Sequence, residues 1–190
     1  EHGPDIEAAA EMSGLGSAEA VARAHSDAKY RVYFLGFTGG FPYLGGLADA
    51  LKAVPRLPSP RQSVPKGAVG IAAGQTGVYT LAGSPGGWHL LGRTQVELFD
   101  PARDPPALLR AGDQIKFVPA DDLGEDPERE EESSCQGKST TVVPQPKNPC
   151  LEIIAAGPLT TIQDIGRIGY ARHGVSRSGA VDALSLRMGN

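Results

Sequence analysis

Between residues 68 and 118 the chain is cut into short apolar runs, "AVGIAA", "GVYTLA", "HLLGRT", "VELF" and "QIKFV", each stopped by Gly, Pro or Asp. Runs of this length are too short for helices, and with their β-branched and aromatic residues they read as strands followed by turns. Upstream, "YRVYFLGF" is a β-branched and aromatic run that ends on glycine and reads the same way. Many short strands at close spacing predict a β-barrel or sandwich over residues 30–119. Composition agrees, since 25 Gly and 16 Pro in 190 residues favour turns over long helices.

Two short helices precede the strands. Asp5 and Ser17 stand as N-caps before "IEAAAEMSGL" and "AEAVARAHSD", in which Ile6, Ala9, Ala10 and then Ala18, Val21, Ala22 recur at helical spacing. The stretch "GFTGGFPYLGGL", residues 36–47, holds five glycines. A phosphate cradle needs a helix N-terminus or a lysine beyond its glycines. Neither GK[ST] nor GxGxxG follows, and the glycines are interleaved with Phe37, Phe41, Pro42, Tyr43 and Leu44. The stretch therefore reads as a glycine-hinged loop that packs rings beside a strand end, or as one wall of a small-molecule pocket.

The formal net charge of −4 is unevenly spread. "DDLGEDPEREEE", residues 121–132, carries −7, which leaves +3 for the remainder. A self-repelling block that continues into "SSCQGKSTTVVPQPKNP" predicts an acidic flexible linker over 121–149. Within it "CQGKST" imitates the end of a phosphate loop, but Glu132 stands where the earlier glycine is required. Cys135 and Cys150 bound the linker and are expected as free thiols, and no histidines stand at metal-ligand spacing beside them. No apolar run approaches the roughly 20 residues that span a bilayer, and no basic-then-apolar leader is present. The expectation is a cytoplasmic protein whose partners include neither membrane nor nucleic acid. Beyond the linker, "LEIIAAG" reads as a strand, "LTTIQDIGR" as a strand or turn, and "SGAVDALSLRMGN" as a helix capped by Ser178. The chain opens on "EHGPD" without methionine and closes within a helical pattern, so a piece of a longer polypeptide is expected.

The series "YRVYFLGFTGGFPYLGGL", "GAVGIAAGQTGVYTLAGSPGGWHLLGRT" and "LFDPARDPPALLRAGDQIKFVP" resembles the B subunit of bacterial ATP-dependent 5-oxoprolinase. The same family is known as allophanate hydrolase subunit 1, or the Kip-type kinase inhibitor. "LEIIAAGPLTTIQDIGRIGYARHGVSRSGAVDALSLRMGN" resembles the opening of the partner C subunit, allophanate hydrolase subunit 2. The resemblance implies a mainly β fold: a cyclophilin-like β-barrel with short N-terminal helices, then the linker, then the start of a second cyclophilin-like domain. Residues 1–120 would be the C-terminal part of the first carboxyltransferase domain, 121–149 the linker, and 150–190 the truncated start of the second. Three positions depart from the family pattern: Gly39 stands where "GFxPGF" has proline, Ile168 where "GRPG" has proline, and Arg177 within a "GVPxSGAxD"-like element. The loss of proline at 39 frees a φ angle that the ring would fix.

The chemistry of these motifs can be read beside the resemblance. In "GQTGVYTLAGSPGGW", Gly86 and Gly87 permit close backbone approach, while Gln75, Thr76 and Ser84 supply neutral donors and acceptors suited to an amide or carboxylate. The same residues also suit the β-turns of a barrel. Trp88 lines a pocket or anchors the core. Gln75, Thr76 and Ser84 are expected to share one cavity with Phe41 or Tyr43. His89 is a candidate general base, with core packing as the plain reading. Asp164, Arg167 and Asp182 are candidates for orienting a substrate or a phosphorylated intermediate, while an Asp164 to Arg167 pair could instead hold a turn.

What the resemblance implies about activity is an ATP-dependent opening of 5-oxo-L-proline to L-glutamate, with ATP (and Mg) as the nucleotide, no resident metal, and an A subunit as partner. The remainder of the C-like domain would be a second partner. Two other readings stay open: the carboxyltransferase part of a biotin-dependent urea carboxylase or allophanate system, and an inhibitor that docks on a histidine kinase. Holding only the first forty residues of the second part, the chain alone is expected to be inactive.

Overall fold

The computed structural model describes residues 3–120 and 164–189. The expected linker, both cysteines and "LEIIAAG" lie outside the described residues. Helix α1 spans Ile6–Ser13 and ends on Gly14 at φ +71, a left-handed position whose N–H returns to the last turn. Helix α2 spans Ala18–Asp27, and Ser17 caps it by accepting the Ala20 amide at 3.2 Å. Asp5 precedes α1, as expected, but its side chain does not cap it. The carboxylate is drawn away to Arg61 and to the Leu90 amide, partners that the local sequence does not reveal.

Among the described residues eight strands follow: β1 Tyr30–Leu35, β2 Pro42–Gly45, β3 Arg61–Val64, β4 Ala68–Ala72, β5 Gln75–Val78, β6 Ser84–Gly86, β7 His89–Arg93 and β8 Gln114–Ile115. Six form one antiparallel sheet in the order β7-β4-β5-β2-β1-β8, and β3 pairs with β6 beside it. The fold among the described residues is thus mainly β with short helices, as the punctuated sequence predicts. Three strands arise where the sequence predicts loops or turns, because β2, β3 and β6 are held by their partners rather than by β-branched runs. Conversely, "GVYTLA" is a strand only through Val78, and "VELF" contributes only an isolated bridge from Phe99 to Ala107.

The register divides the sheet into two faces. Val32, Leu44, Thr76, Ile71 and His89 are successive cross-strand partners and so line one face. Helices α1 and α2 cover it, burying Ala9, Ala10 and Val21 against Tyr30, Val32, Leu44 and Ile71. The opposite face carries Phe41, Ala68, Ala72, Tyr79, Trp88 and Leu90. Gly70 and Gly77, paired across β4 and β5, leave that face bare beneath the rings.

In the second segment a 3-10 turn spans Ala171–His173 and helix α3 spans Ala183–Gly189. The expected cap, Ser178, does not cap α3; it lies at φ +50 and takes a hydrogen bond from Arg167. Asp182 does the capping, accepting the Leu184 and Ser185 amides at 3.0 Å each. Among the described residues no helix is long and apolar enough to cross a membrane.

Candidate functional site

The bare patch of sheet at Gly70 and Gly77 decides where large rings can lie. A Cβ on Gly77 would stand 2.7 Å from the Pro42 carbonyl oxygen and 2.9 Å from the Phe41 ring. One on Gly70 would stand 3.1 Å from Trp88 Cβ. Into this space pack Phe41, Tyr79 and Trp88, with Phe41 edge-on to Tyr79 at 5.2 Å and to Trp88 at 5.7 Å. Tyr43 joins at 5.0 Å from Phe41 and 5.8 Å from Trp88, and Phe34 stacks on it at 4.4 Å. Phe37 completes the group 5.5 Å from Phe41, half exposed, on a backbone at φ +67 that a side chain of its size rarely adopts.

The polar groups at this cluster are few and mostly neutral. Tyr79 is a buried ring whose hydroxyl has its pKa raised by burial, opposed by the Trp88 amide and by the positive charges of Arg56 and Arg61. It therefore remains protonated at neutral pH and can act as a donor. The glycine turn lies against it, since a Cβ on Gly86 would collide with the Tyr79 hydroxyl; Gly87 faces Pro60. Ser84, buried in β6, spends its hydroxyl on the Leu81 carbonyl at 3.0 Å. Thr80 Oγ1 donates to the Gly39 carbonyl at 2.6 Å and lies 3.0 Å from Thr38 Oγ1, which ties the glycine loop to the strand end.

The expectation that Gln75, Thr76 and Ser84 share one cavity with the rings is corrected at Thr76. Strand alternation puts Gln75 on the face of Gly77 and the rings, and Thr76 on the other. Thr76 is fully buried, donates to the Gly70 carbonyl at 2.9 Å and meets His25 Nε2 at 2.9 Å. Because its proton goes to Gly70, Thr76 accepts from His25, which fixes an Nε2–H tautomer of a neutral ring. Burial pulls the His25 pKa down to about 4. Tyr30 donates to the His25 carbonyl at 2.7 Å, and Phe117 packs 4.6 Å from the imidazole.

The candidate catalytic residues are each held in their own set of contacts. His89 lies on the helix-covered face beside Ile71, buried, with Nδ1 lacking a hydrogen-bond partner among the described residues. Trp88, its neighbour in the chain, points to the rings instead. Asp164 accepts the Gly166 amide, and Arg167 donates to the Ser176 carbonyl and Ser178 Oγ at 3.0 Å each, so the two hold adjoining turns through separate partners. Asp182 is occupied by α3, and the bonds from Ser185 and Leu184 lower its pKa. Tyr79, Thr38 and Thr80 are members of the ring site that sequence reading passes over, whereas Phe37 belongs to the glycine stretch already read as a pocket wall. The signal available is a further aromatic, Tyr79, placed between two glycine turns. Rings with a few neutral donors suit a small planar amide better than a phosphate. Among the described residues no group of three or more His, Cys, Asp or Glu side chains could hold a metal ion.

Comparison with known proteins bears on the family and the fold. The family description that matches, carboxyltransferase domain, subdomain C and D, covers residues 1–109. The B subunit of 5-oxoprolinase from Escherichia coli O157:H7 is 55% identical over 117 residues, 62% of this chain and 52% of that protein. The B subunit of 5-oxoprolinase from Bacillus subtilis strain 168 is 52% identical over 118 residues, 62% of this chain and 48% of that one. The chain thus spans about half the length of these relatives. The crystal structure of a conserved uncharacterized protein from Pyrococcus horikoshii superposes with a TM-score of 0.60 at 51% identity, covering 64% of this chain and 55% of that one. The urea carboxylase of Kluyveromyces lactis is more distant, with a TM-score of 0.50 at 26% identity over 68% of this chain and 11% of that one.

Proposed function

Because the chain belongs to the carboxyltransferase domain family, subdomains C and D, through residues 1–109, we propose that it serves as the B-type component of a 5-oxoprolinase. The observation that carries this reading is identity above 50% to two such B subunits, with the ring site inside residues 1–109 that match the family. The reaction would be the ATP-dependent hydrolysis of 5-oxo-L-proline to L-glutamate, shared with an A-type subunit and a complete C-like part. The distant urea carboxylase likeness gives no reason to prefer a biotin-dependent reaction.

In this reading the lactam lies against the accessible rings of the cluster, Phe37 and Tyr43, which the buried Phe41 and Trp88 support from behind. Gln75 and the backbone at Gly86 and Gly87 meet its amide edge, with Tyr79 protonated behind them. A lactam ring of five atoms is hydrophobic on its faces and polar on one edge, which is the distribution that the rings and the glycine turn offer. The described residues include no phosphate loop beside the rings. Arg61 is already paired with Asp5, and no glycine turn beside the rings continues into a lysine. ATP, with Mg, is therefore assigned to the partners, and His89, Asp164, Arg167 and Asp182 are given no step in the chemistry of this segment.

The test is 5-oxo-L-proline-dependent release of ADP and glutamate by the full-length protein assembled with an A-type subunit. Substitution of Tyr43 by Ala is expected to raise KM at least tenfold. Absence of turnover from the complete assembly, with biotin-dependent carboxylation of urea or docking on a histidine kinase instead, would overturn the assignment.

A further inference from the structure

We propose that the glycine loop 36–40 is a docking cradle for the turn 170–174 of the second segment, and that it recognises that turn by its backbone. The loop satisfies most of its own hydrogen-bonding groups. Gly36 N–H donates to the Phe41 carbonyl at 3.1 Å, Thr38 N–H to the Gly36 carbonyl at 2.8 Å, and Phe41 N–H to the Thr38 carbonyl at 3.1 Å. The Gly39 carbonyl takes the Thr80 hydroxyl. The buried Gly40 directs its N–H outward, to the His173 carbonyl at 2.7 Å. With the turn seated the amide is buried, and the His173 carbonyl is the acceptor it then requires.

The turn is built to supply it. Residues 171–173 form one 3-10 turn, closed by His173 N–H on the Tyr170 carbonyl at 2.9 Å and Gly174 N–H on the Ala171 carbonyl at 3.0 Å. This leaves the His173 carbonyl pointing away from its own turn. Gly174 then takes φ +77, and a Cβ there would stand 2.8 Å from the Thr38 carbonyl oxygen and 2.9 Å from the Gly36 nitrogen. Glycine is required twice over, once for the left-handed backbone and once for the close approach. Two side chains of the turn bond to each other, the His173 ring accepting from Arg172 Nε at 3.1 Å.

The partner that fits the cradle is therefore a 3-10 turn that ends on a left-handed glycine, here the turn of this same chain. It lies outside the matched residues 1–109, whereas the cradle lies within them. Seating the turn fixes Gly40, and with it the loop that presents Phe37 and Phe41, so the second segment shapes the ring site without reaching into it.

Amide hydrogen exchange of the full chain, followed residue by residue by NMR, tests this. Gly40 is expected to be protected in the native chain. In Gly174→Ala and Gly174→Val it should exchange at least tenfold faster, while the β4 amides keep their protection. Arg172→Ala should leave Gly40 unchanged. Equal protection of Gly40 in the native chain and in the Gly174 variants would overturn the proposal. So would loss of its protection in Arg172→Ala comparable to that in Gly174→Ala, because side chains would then carry the contact. Should Gly174→Val unfold, seen as loss of β4 protection, Gly174→Ala alone decides.

Discussion

Asp5 and Arg61, 56 residues apart, form an ion pair at 2.5 Å that joins the entry of α1 to strand β3. The other oxygen of Asp5 takes the Leu90 amide at 2.7 Å, and Arg61 reaches on to the Trp88 carbonyl at 3.3 Å. One carboxylate thus anchors the N-terminal helix to β3 and β7 together.

Removing it should be felt at all three places. Asp5→Ala leaves a partly buried guanidinium and the Leu90 amide without their acceptor, and is expected to destabilise the fold by about 2 kcal/mol. Asp5→Asn keeps an acceptor for Leu90 and should cost about half as much. Urea unfolding of the two variants checks the order; equal and negligible losses would mean that the helix is held by its apolar face alone.

His25 makes stability depend on pH. Its pKa falls from 6.5 in the unfolded chain to about 4 in the fold because burial penalises the charged ring. Between these values the unfolded chain binds the proton and the folded one does not, so the contribution is full above pH 6.5 and is lost as pH falls toward 4. The size is on the order of 3 kcal/mol. His25→Gln retains a donor for Thr76 but does not titrate, so its stability should vary less across that window. An unchanged slope in urea titrations at stepped pH would refute this role.

Arg103 donates to the carbonyls of Pro105 at 3.3 Å, Pro106 at 3.1 Å, Leu98 at 3.4 Å and Glu97 at 3.5 Å, and so holds a long irregular segment closed. A compact ammonium cannot span these acceptors. Arg103→Lys is expected to cost about 1–2 kcal/mol. Faster exchange of the Asp100 and Leu108 amides, which bond to Pro106 and Leu98, is the local signature to measure.

Two glycines that look alike in sequence should respond differently to alanine. At Gly45 the added Cβ meets the Tyr33 ring, which is 56% exposed and free to swing aside. At Gly77 it meets the Pro42 carbonyl and the packed Phe41 ring. Gly77→Ala is expected to cost about 1–3 kcal/mol and Gly45→Ala well under about 1 kcal/mol. Thermal unfolding of the pair gives the comparison, and equal midpoints would contradict it.

Sequence reading succeeds where a residue's own chemistry decides its conformation. "AVGIAA" and "HLLGRT" are strands because their side chains favour them, and Ser17 caps α2 because its oxygen reaches the third amide beyond it. It falls short where a distant partner decides. Pro42–Gly45 is a strand only because β1 and β5 flank it, and Asp5 abandons its cap for Arg61. The ring site is half legible. Phe41, Tyr43 and Trp88 are recognisable from their glycine neighbours, whereas the separation of Thr76 from Gln75 depends on strand alternation across a glycine-rich run whose ends the sequence does not mark.

The pairing of Gly70 with Gly77 beneath Phe41, Tyr79 and Trp88 also limits how such a chain can diverge. Floor and rings occupy one shared volume. A methyl gained below must be matched by a smaller ring above, and a lost ring is best compensated by a side chain at one of these glycines. Exchanges here are viable in pairs, so a lineage could reshape this packed layer by trading atoms between two strands while leaving the remaining sheet untouched.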